Sequence, residues 1–518
     1  MASSLRRRSF TAPTRDRDLW SLAYDSTMAV GDAISTESRS LDRGLTLVLV
    51  FVLLVGLGFV VWYWSRLIQT PYQLDYGEGP LLDQAVRLAG GLGIYAVPGA
   101  APPWTIGNYP PLYPLVNAGF VELFGPAYWY GRLVSVVGAL AAATFAGLLV
   151  ATLSSNRTAG VITGLLMPVV PYLGYWSGLA RIDSMALALS LAGLWCVVRR
   201  PSSKGWLVAG GVLLVAAGFT RQTYLLAAPL AAVVWLWPYG RRRAAVFAAG
   251  LAGAVLALGA ALDLATRGGF WFNVVTANVN AYDLGLLHWV ARDVVIRLPV
   301  LLAVAVASIV VSVRERLPYG RLLVPYGVGA IAVALTAGKV GSNLNYLLEL
   351  SAALCLAAGL LLAALRARPR LRTVLLLALV AQALLLVLRP HPYYGYAIDA
   401  ARDVSTGQQV SRVVAGTAGP VLADEHLGFL PLAGRAVELQ PFELTQLVYA
   451  GVWNQAPLLA AIDEQRYAAI LIYTTDATPS LEQYRWTPEM LAAIERRYAV
   501  AETIERDAGR ILVYRPAD

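Results

Sequence analysis

Residues 45–88 read LTLVLVFVLL VGLGFVVWYW SRLIQTPYQL DYGEGPLLDQ AVRL, and the change of character within them decides the fold. Residues 45–64 are apolar and carry no charge. A bilayer core needs about 20 such residues in one helix. The run closes on Trp62, Tyr63 and Trp64, rings that suit the membrane–water interface. The chain then turns polar, through Asp75-Tyr76-Gly77-Glu78-Gly79-Pro80 into an amphipathic stretch with Asp83, Gln84 and Arg87 on one side.

Comparable apolar runs recur at about 131–153, 159–176, 183–199, 206–219, 222–237, 245–265, 293–312, 321–337, 344–365 and 371–388. The sequence therefore predicts a polytopic α-helical membrane protein with about 11 transmembrane helices. Composition agrees. Of the 518 residues 58% are hydrophobic and 14% charged, against about 25% charged in soluble domains. No apolar run begins before Leu45, so residues 1–44 read as a disordered cytoplasmic tail rather than a signal peptide.

Charge gives an orientation. The formal net charge is +9. With the tail in the cytoplasm, the expected inner loops Ser154–Thr158, Arg199–Lys204, Tyr239–Arg243, Arg314–Arg321 and Arg366–Arg372 all carry Arg or Lys, as short cytoplasmic loops do. The positive excess thus reads as membrane topology, with no nucleic-acid partner. Residues 45–388 form the expected membrane domain, with a large first outer loop at 65–130. From 389 to 518 there are 11 Arg against 16 Asp and Glu. Short β-rich runs at Val421–Ala423, Ala469–Tyr473 and Ile511–Tyr514 alternate there with helical patterns, predicting an extracytoplasmic α/β domain. It is expected to fold apart from the membrane part and to serve acceptor access or assembly, without a catalytic base. Asp424-Glu425-His426 reads as a polar loop after a strand.

Cys196 and Cys355 sit in apolar runs, and His288, His391 and His426 are scattered, so neither a zinc cluster nor a disulfide scaffold is indicated. Chemistry is sought in carboxylates and cations instead. Asp75 and Glu78 flank a tight glycine turn that would aim both carboxylates at one point, for base work or for oxygen ligation of a divalent cation such as Mg or Mn. Arg181, Asp183, Arg221, Lys339, Asn343 and Glu349 fall near the same membrane face, at the ends of apolar runs, where charge is costly and faces a cavity or a partner. Tyr109, Asn345 and Tyr346 belong to the same expected cavity. Such a face suits a lipid-phosphate substrate: Arg221 and Lys339 hold the phosphate while a carboxylate activates a hydroxyl. A lipid-linked carrier or transporter, or a non-catalytic assembly subunit, is the competing reading.

The order of motifs resembles a known family. Asp75–Glu78, the stretch 88–95, Tyr109-Pro110-Pro111-Leu112-Tyr113, Gly131-Arg132-Leu133, Leu179-Ala180-Arg181-Ile182-Asp183 and Phe219-Thr220-Arg221-Gln222-Thr223 are similar to GT-C fold membrane glycosyltransferases. The resemblance is to the group of lipid A aminoarabinose transferases and protein O-mannosyltransferases. It covers roughly residues 45–390. It implies an inverting transfer from a polyprenyl-phosphate sugar donor to a hydroxyl-bearing lipid, glycan or protein acceptor, at the outer face of a bacterial cytoplasmic membrane. It also implies that an acidic residue of the first loop is the base or a metal ligand. The pair is split here as Asp75 and Glu78, which leaves open which of them acts.

Overall fold

The computed structural model describes residues 15–278, 280–475, 482–506 and 509–517, with side chains from Ser40 onward except at 482–483. Of the expected tail, residues 1–14 lie outside the described residues. From Arg15 the chain is on the helix Arg15–Ile68, which becomes the first span.

Among the described residues six helices are long and apolar enough to cross a membrane: Ser40–Ile68, Trp129–Ser154, Arg241–Ala265, Gly320–Gly338, Leu344–Ala367 and Pro369–Arg402. Leu284–Arg297 and Pro299–Arg314, bent by 86° at Leu298, make a seventh if the pair is one span. The expectation of about 11 spans is corrected by this count. Its physical reason lies in how apolar residues are distributed over helices. The run 159–176 breaks between Val169 and Pro171 into helices of 13 and 6 residues. Residues 183–199 give a helix of 17 residues and 204–220 another of 17. Arg221 is extended (φ −150°, ψ 123°), so the run 222–237 becomes a 3-10 turn and a 10-residue helix. The runs 183–199 and 206–219 are helical throughout but only 17 residues long as helices, whereas Pro171 and the turn after Arg221 leave the other two as shorter pieces.

Leu344–Ala367 is the central helix, buried along nearly its whole length. Small residues let its neighbours approach closely. A Cβ on Gly359 would lie 2.0 Å from Thr163 Oγ1. One end of the bundle gathers the polar segments between helices. There Arg132 donates to the carbonyls of Leu67 and Thr70, Gly107 N donates to Asn273 Oδ1, Gln222 Nε2 to the Asn108 carbonyl, and Val340 N to the Ala281 carbonyl. The opposite end carries the basic loops, where Arg368 pairs with Glu315 at 2.6 Å and Arg372 with Asp42 at 3.6 Å.

The C-terminal residues form a mixed sheet of β1 (Val421–Ala423), β2 (Ala469–Thr474), β3 (Tyr498–Arg506) and β4 (Gly509–Pro516), in the order β1-β2-β4-β3. β1 and β2 run parallel, joined by a crossover containing the helices Pro441–Tyr449 and Ala456–Asp463. The β2–β4 and β4–β3 pairs are antiparallel. This unit packs against the membrane part. Trp104 and Ile106 of the first loop pack into its core beside Leu439 and Trp453. Trp104 exchanges backbone hydrogen bonds with Glu438 and Gln440, at 2.7 and 3.0 Å. Gln73 bridges the Glu425 carbonyl and Gly428 N, at 2.6 and 2.8 Å. The sheet is thereby docked on the polar end of the bundle.

Candidate active site

Between the bundle end and the docked sheet lies a cavity of about 730 Å³. The first loop builds one wall. Asp75 Oδ1 accepts from Gly77 N at 3.0 Å, an Asx turn that fixes the carboxylate over the start of the helix Glu78–Ala89. Arg181 Nη1 reaches the same oxygen at 3.1 Å. A Cβ at 77 would sit 1.2 Å from Arg181 Nη1, so any larger residue there must displace the guanidinium from Asp75. Asp75 lines the cavity, and its Oδ2 has no hydrogen-bond partner among the described residues. Burial pushes the Asp75 carboxyl above the usual aspartate range, against the pull of Arg181.

Glu78 is placed differently. Its Oε1 accepts from Arg132 Nε (2.9 Å) and Ala180 N (2.7 Å), and its Oε2 from Arg132 Nη2 (2.8 Å) and Leu74 N (2.8 Å). Both side chains are fully buried. Burial works against the Glu78 charge, but Arg132 and the backbone donors hold its pKa below the usual glutamate range. A carboxylate with four donors has no lone pair left for a cation or for an acceptor proton. The reading of Glu78 as catalytic or metal-ligating gives way to one of a clamp joining the first loop, the second span and the 180 loop. Asp75 and Glu78 therefore do not fit a shared divalent cation. Among the described residues no group of three or more His, Cys, Asp or Glu gathers in a way that would hold one.

The other expected residues divide in the same manner. Tyr109, Arg181, Arg221, Lys339, Asn343 and Tyr346 line the cavity with Asp75. Asp183, Asn345 and Glu349 stand behind that wall. Asp183 is fully buried, ion-paired with Arg221, and accepts from Trp176 Nε1 at 2.6 Å and Asn345 Nδ2 at 3.1 Å. Arg221 lies over the Tyr346 ring at 4.3 Å. Glu349 is buried with neither oxygen hydrogen-bonded. It is one of two buried carboxylates facing the back of Arg221. Asn343 caps its own turn, accepting from Leu344 N at 2.7 Å. Lys339 lines the cavity with no carboxylate within salt-bridge reach among the described residues.

The opposite wall was not anticipated as part of the site. Glu425, Phe442, Glu443, Tyr473 and Arg485 of the C-terminal region line the same cavity. Tyr76 OH donates to Glu443 Oε2 at 2.5 Å. Burial pushes the Glu443 carboxyl up to about 7, with Tyr76 opposing. Glu425 pairs with Arg485, whose guanidinium sits 4.7 Å over the Tyr76 ring. Within Asp424-Glu425-His426 only Glu425 reaches the cavity. Asp424 is held by Tyr473 N and Trp486 Nε1, and His426 packs beside Arg506. The sequence signals for this wall were Glu425 within the polar Asp424-Glu425-His426 loop and Glu443 on a short, otherwise mostly apolar helix.

Helix bundle, docked sheet and cavity together make a polytopic membrane fold that solved structures share. Among solved structures the chain is similar to ArnT from Cupriavidus metallidurans bound to undecaprenyl phosphate: 14% identity, 89% of this chain, 97% of that chain, TM-score 0.58. It is also similar to the archaeal oligosaccharyltransferase AglB from Archaeoglobus fulgidus in complex with an inhibitory peptide and a dolichol-phosphate, at 12% identity over 91% of this chain and 74% of that chain, TM-score 0.53. No family model and no curated protein matches the sequence.

Proposed function

We propose that the protein is a membrane glycosyltransferase that moves a sugar from a polyprenyl-phosphate donor to a hydroxyl acceptor, with inversion at the anomeric carbon. The observation that carries this reading is the pairing, across one cavity at the membrane-proximal end, of a half-free carboxylate with a cation lacking a carboxylate partner: Asp75 and Lys339. The donor phosphate lies against Lys339 and Arg221, which balance the charge that grows on the leaving phosphate. Asp75 Oδ2 takes the proton of the acceptor hydroxyl as its oxygen bonds to the anomeric carbon. The bond from that carbon to the phosphate oxygen breaks, and polyprenyl phosphate leaves with the electron pair. One displacement inverts the centre. The likeness in fold to a protein solved with undecaprenyl phosphate and to another solved with a dolichol-phosphate supports the donor class.

The separation of the polar segments from the basic loops supports the orientation. The first loop, Arg181, Arg221, Lys339 and the C-terminal wall meet at one end of the bundle, and the basic loops that short cytoplasmic connections carry lie at the other. On this reading the protein resides in a bacterial cytoplasmic membrane with its C-terminal region outside. The test is a purified-protein assay against a panel of polyprenyl-phosphate sugars, with products read by mass spectrometry. Release of free polyprenyl phosphate with one donor is the expected result. Movement of intact labelled lipid-linked sugar between leaflets, without release, would instead mark a carrier.

A further inference from the structure

The cavity is charged unevenly. Its membrane wall carries Arg181, Arg221 and Lys339 against Asp75 on the lining itself, with Asp183 and Glu349 buried behind. Its outer wall carries Glu425 and Glu443 against Arg485 alone. A phosphate therefore belongs at the membrane wall, and like-charge repulsion disfavours an anion at the outer one. Two groups on the outer wall have unused hydrogen-bonding capacity. Arg485 is more than nine-tenths buried, yet its Nη1 has no hydrogen-bond partner. Glu443 has no cation within salt-bridge reach among the described residues and accepts only from Tyr76 OH.

This wall matches the chemistry of a sugar hydroxyl, which offers one donor and two acceptor sites. A carboxylate takes the O–H, and a guanidinium N–H supplies the oxygen. The paired Glu425 and Arg485 give that alternation once, and Glu443 adds a second carboxylate acceptor on the same wall. Between them lie flat apolar faces, the Tyr76 and Phe442 rings, with centroids 6.3 Å apart and nearly perpendicular. A pyranose presents C–H faces of the same character. A long alkyl chain would leave Arg485 Nη1 and the Glu443 oxygens buried without partners, at a cost for each.

We propose that the C-terminal region forms the acceptor subsite of this cavity and that its ligand is a neutral saccharide, gripped by Glu443, Glu425 and Arg485; the term acceptor rests on the transferase reading above. Purified protein in detergent is tested by saturation-transfer NMR with methyl α-mannoside, methyl β-glucoside, a methyl glucuronide, 1-octanol and a Ser/Thr tripeptide. The neutral glycosides are expected to show saturation in the wild type. In E443Q and in R485K, each monodisperse, their affinity should fall about tenfold or more, the scale of one lost hydrogen bond to a charged group. If E443Q does not fold, R485K decides the matter alone. K339Q should keep the glycoside signal while losing affinity for undecaprenyl phosphate. Loss of the phosphate result alone would overturn the donor reading and leave the saccharide site standing. Absence of glycoside binding, glycoside binding unchanged in both variants, or saturation only of glucuronide, octanol or peptide would overturn the inference.

Discussion

Glu78 and Arg132 meet through two parallel hydrogen bonds, at 2.9 and 2.8 Å, with neither side chain exposed to solvent. The remaining Arg132 donors reach the carbonyls of Leu67, Thr70 and Tyr72, so the pair ties the end of the first span to the loop that follows it. Removing one member leaves the other charged and buried, which costs about 3–5 kcal/mol. Glu78→Ala should therefore lower the melting temperature in detergent markedly. Loss of turnover at an unchanged melting temperature would return Glu78 to the chemistry.

Gly77→Ala acts on the site through Arg181. The new methyl overlaps the guanidinium, so Arg181 must leave Asp75. Turnover should drop while the fold persists. The check is activity beside a melting curve, and wild-type activity would mean that the Asp75–Arg181 pair is dispensable.

Lys339 and Arg221 should separate cleanly. Lys339→Gln is expected to weaken binding of undecaprenyl phosphate by roughly ten- to hundredfold with little change in melting temperature. Arg221→Gln also strands Asp183 in a buried position and should reduce both. Titration of undecaprenyl phosphate against each variant, beside thermal unfolding, tests the difference.

Glu443 gives a pH signature. Its folded pKa of about 7 lies above the reference 4.5, so between those values the folded state holds a proton that the unfolded state has lost. Stability from this group is full below about pH 4.5, falls as pH rises to about 7, and is level above. The melting temperature of wild type relative to E443Q should decline between pH 5 and 7 and then flatten. A pH-independent difference would mean that Glu443 titrates normally.

The membrane wall of the site was legible because a charge at the end of an apolar run stands out: Asp75, Arg181, Arg221 and Lys339 were all visible that way. The sequence could not separate Asp75 from Glu78, since three residues of spacing say nothing about where Arg132 lies. The outer wall was hidden for a different reason. Tyr76 and Glu443 are 367 residues apart and meet only after the sheet docks. Glu443 on its own reads as one acid in a short amphipathic helix. β3 was missed because it is an edge strand with a mostly exposed run. Its polar residues give no clear period-2 pattern. The span count fell because Pro171 splits the run 159–176, the runs 183–199 and 206–219 form helices of only 17 residues, and 222–237 forms a turn and a 10-residue helix.

The central claim is that Asp75 performs the chemistry in a polyprenyl-phosphate-dependent transfer, and comparing wild type with Asp75→Asn tests it most directly. Both are incubated with the donor found active, and released undecaprenyl phosphate is quantified over time. The account predicts steady release by wild type and a rate lower by roughly 10²–10⁴-fold in the variant, the scale of acid–base assistance, with undecaprenyl phosphate affinity and melting temperature preserved. Release by folded Asp75→Asn at the wild-type rate would contradict it.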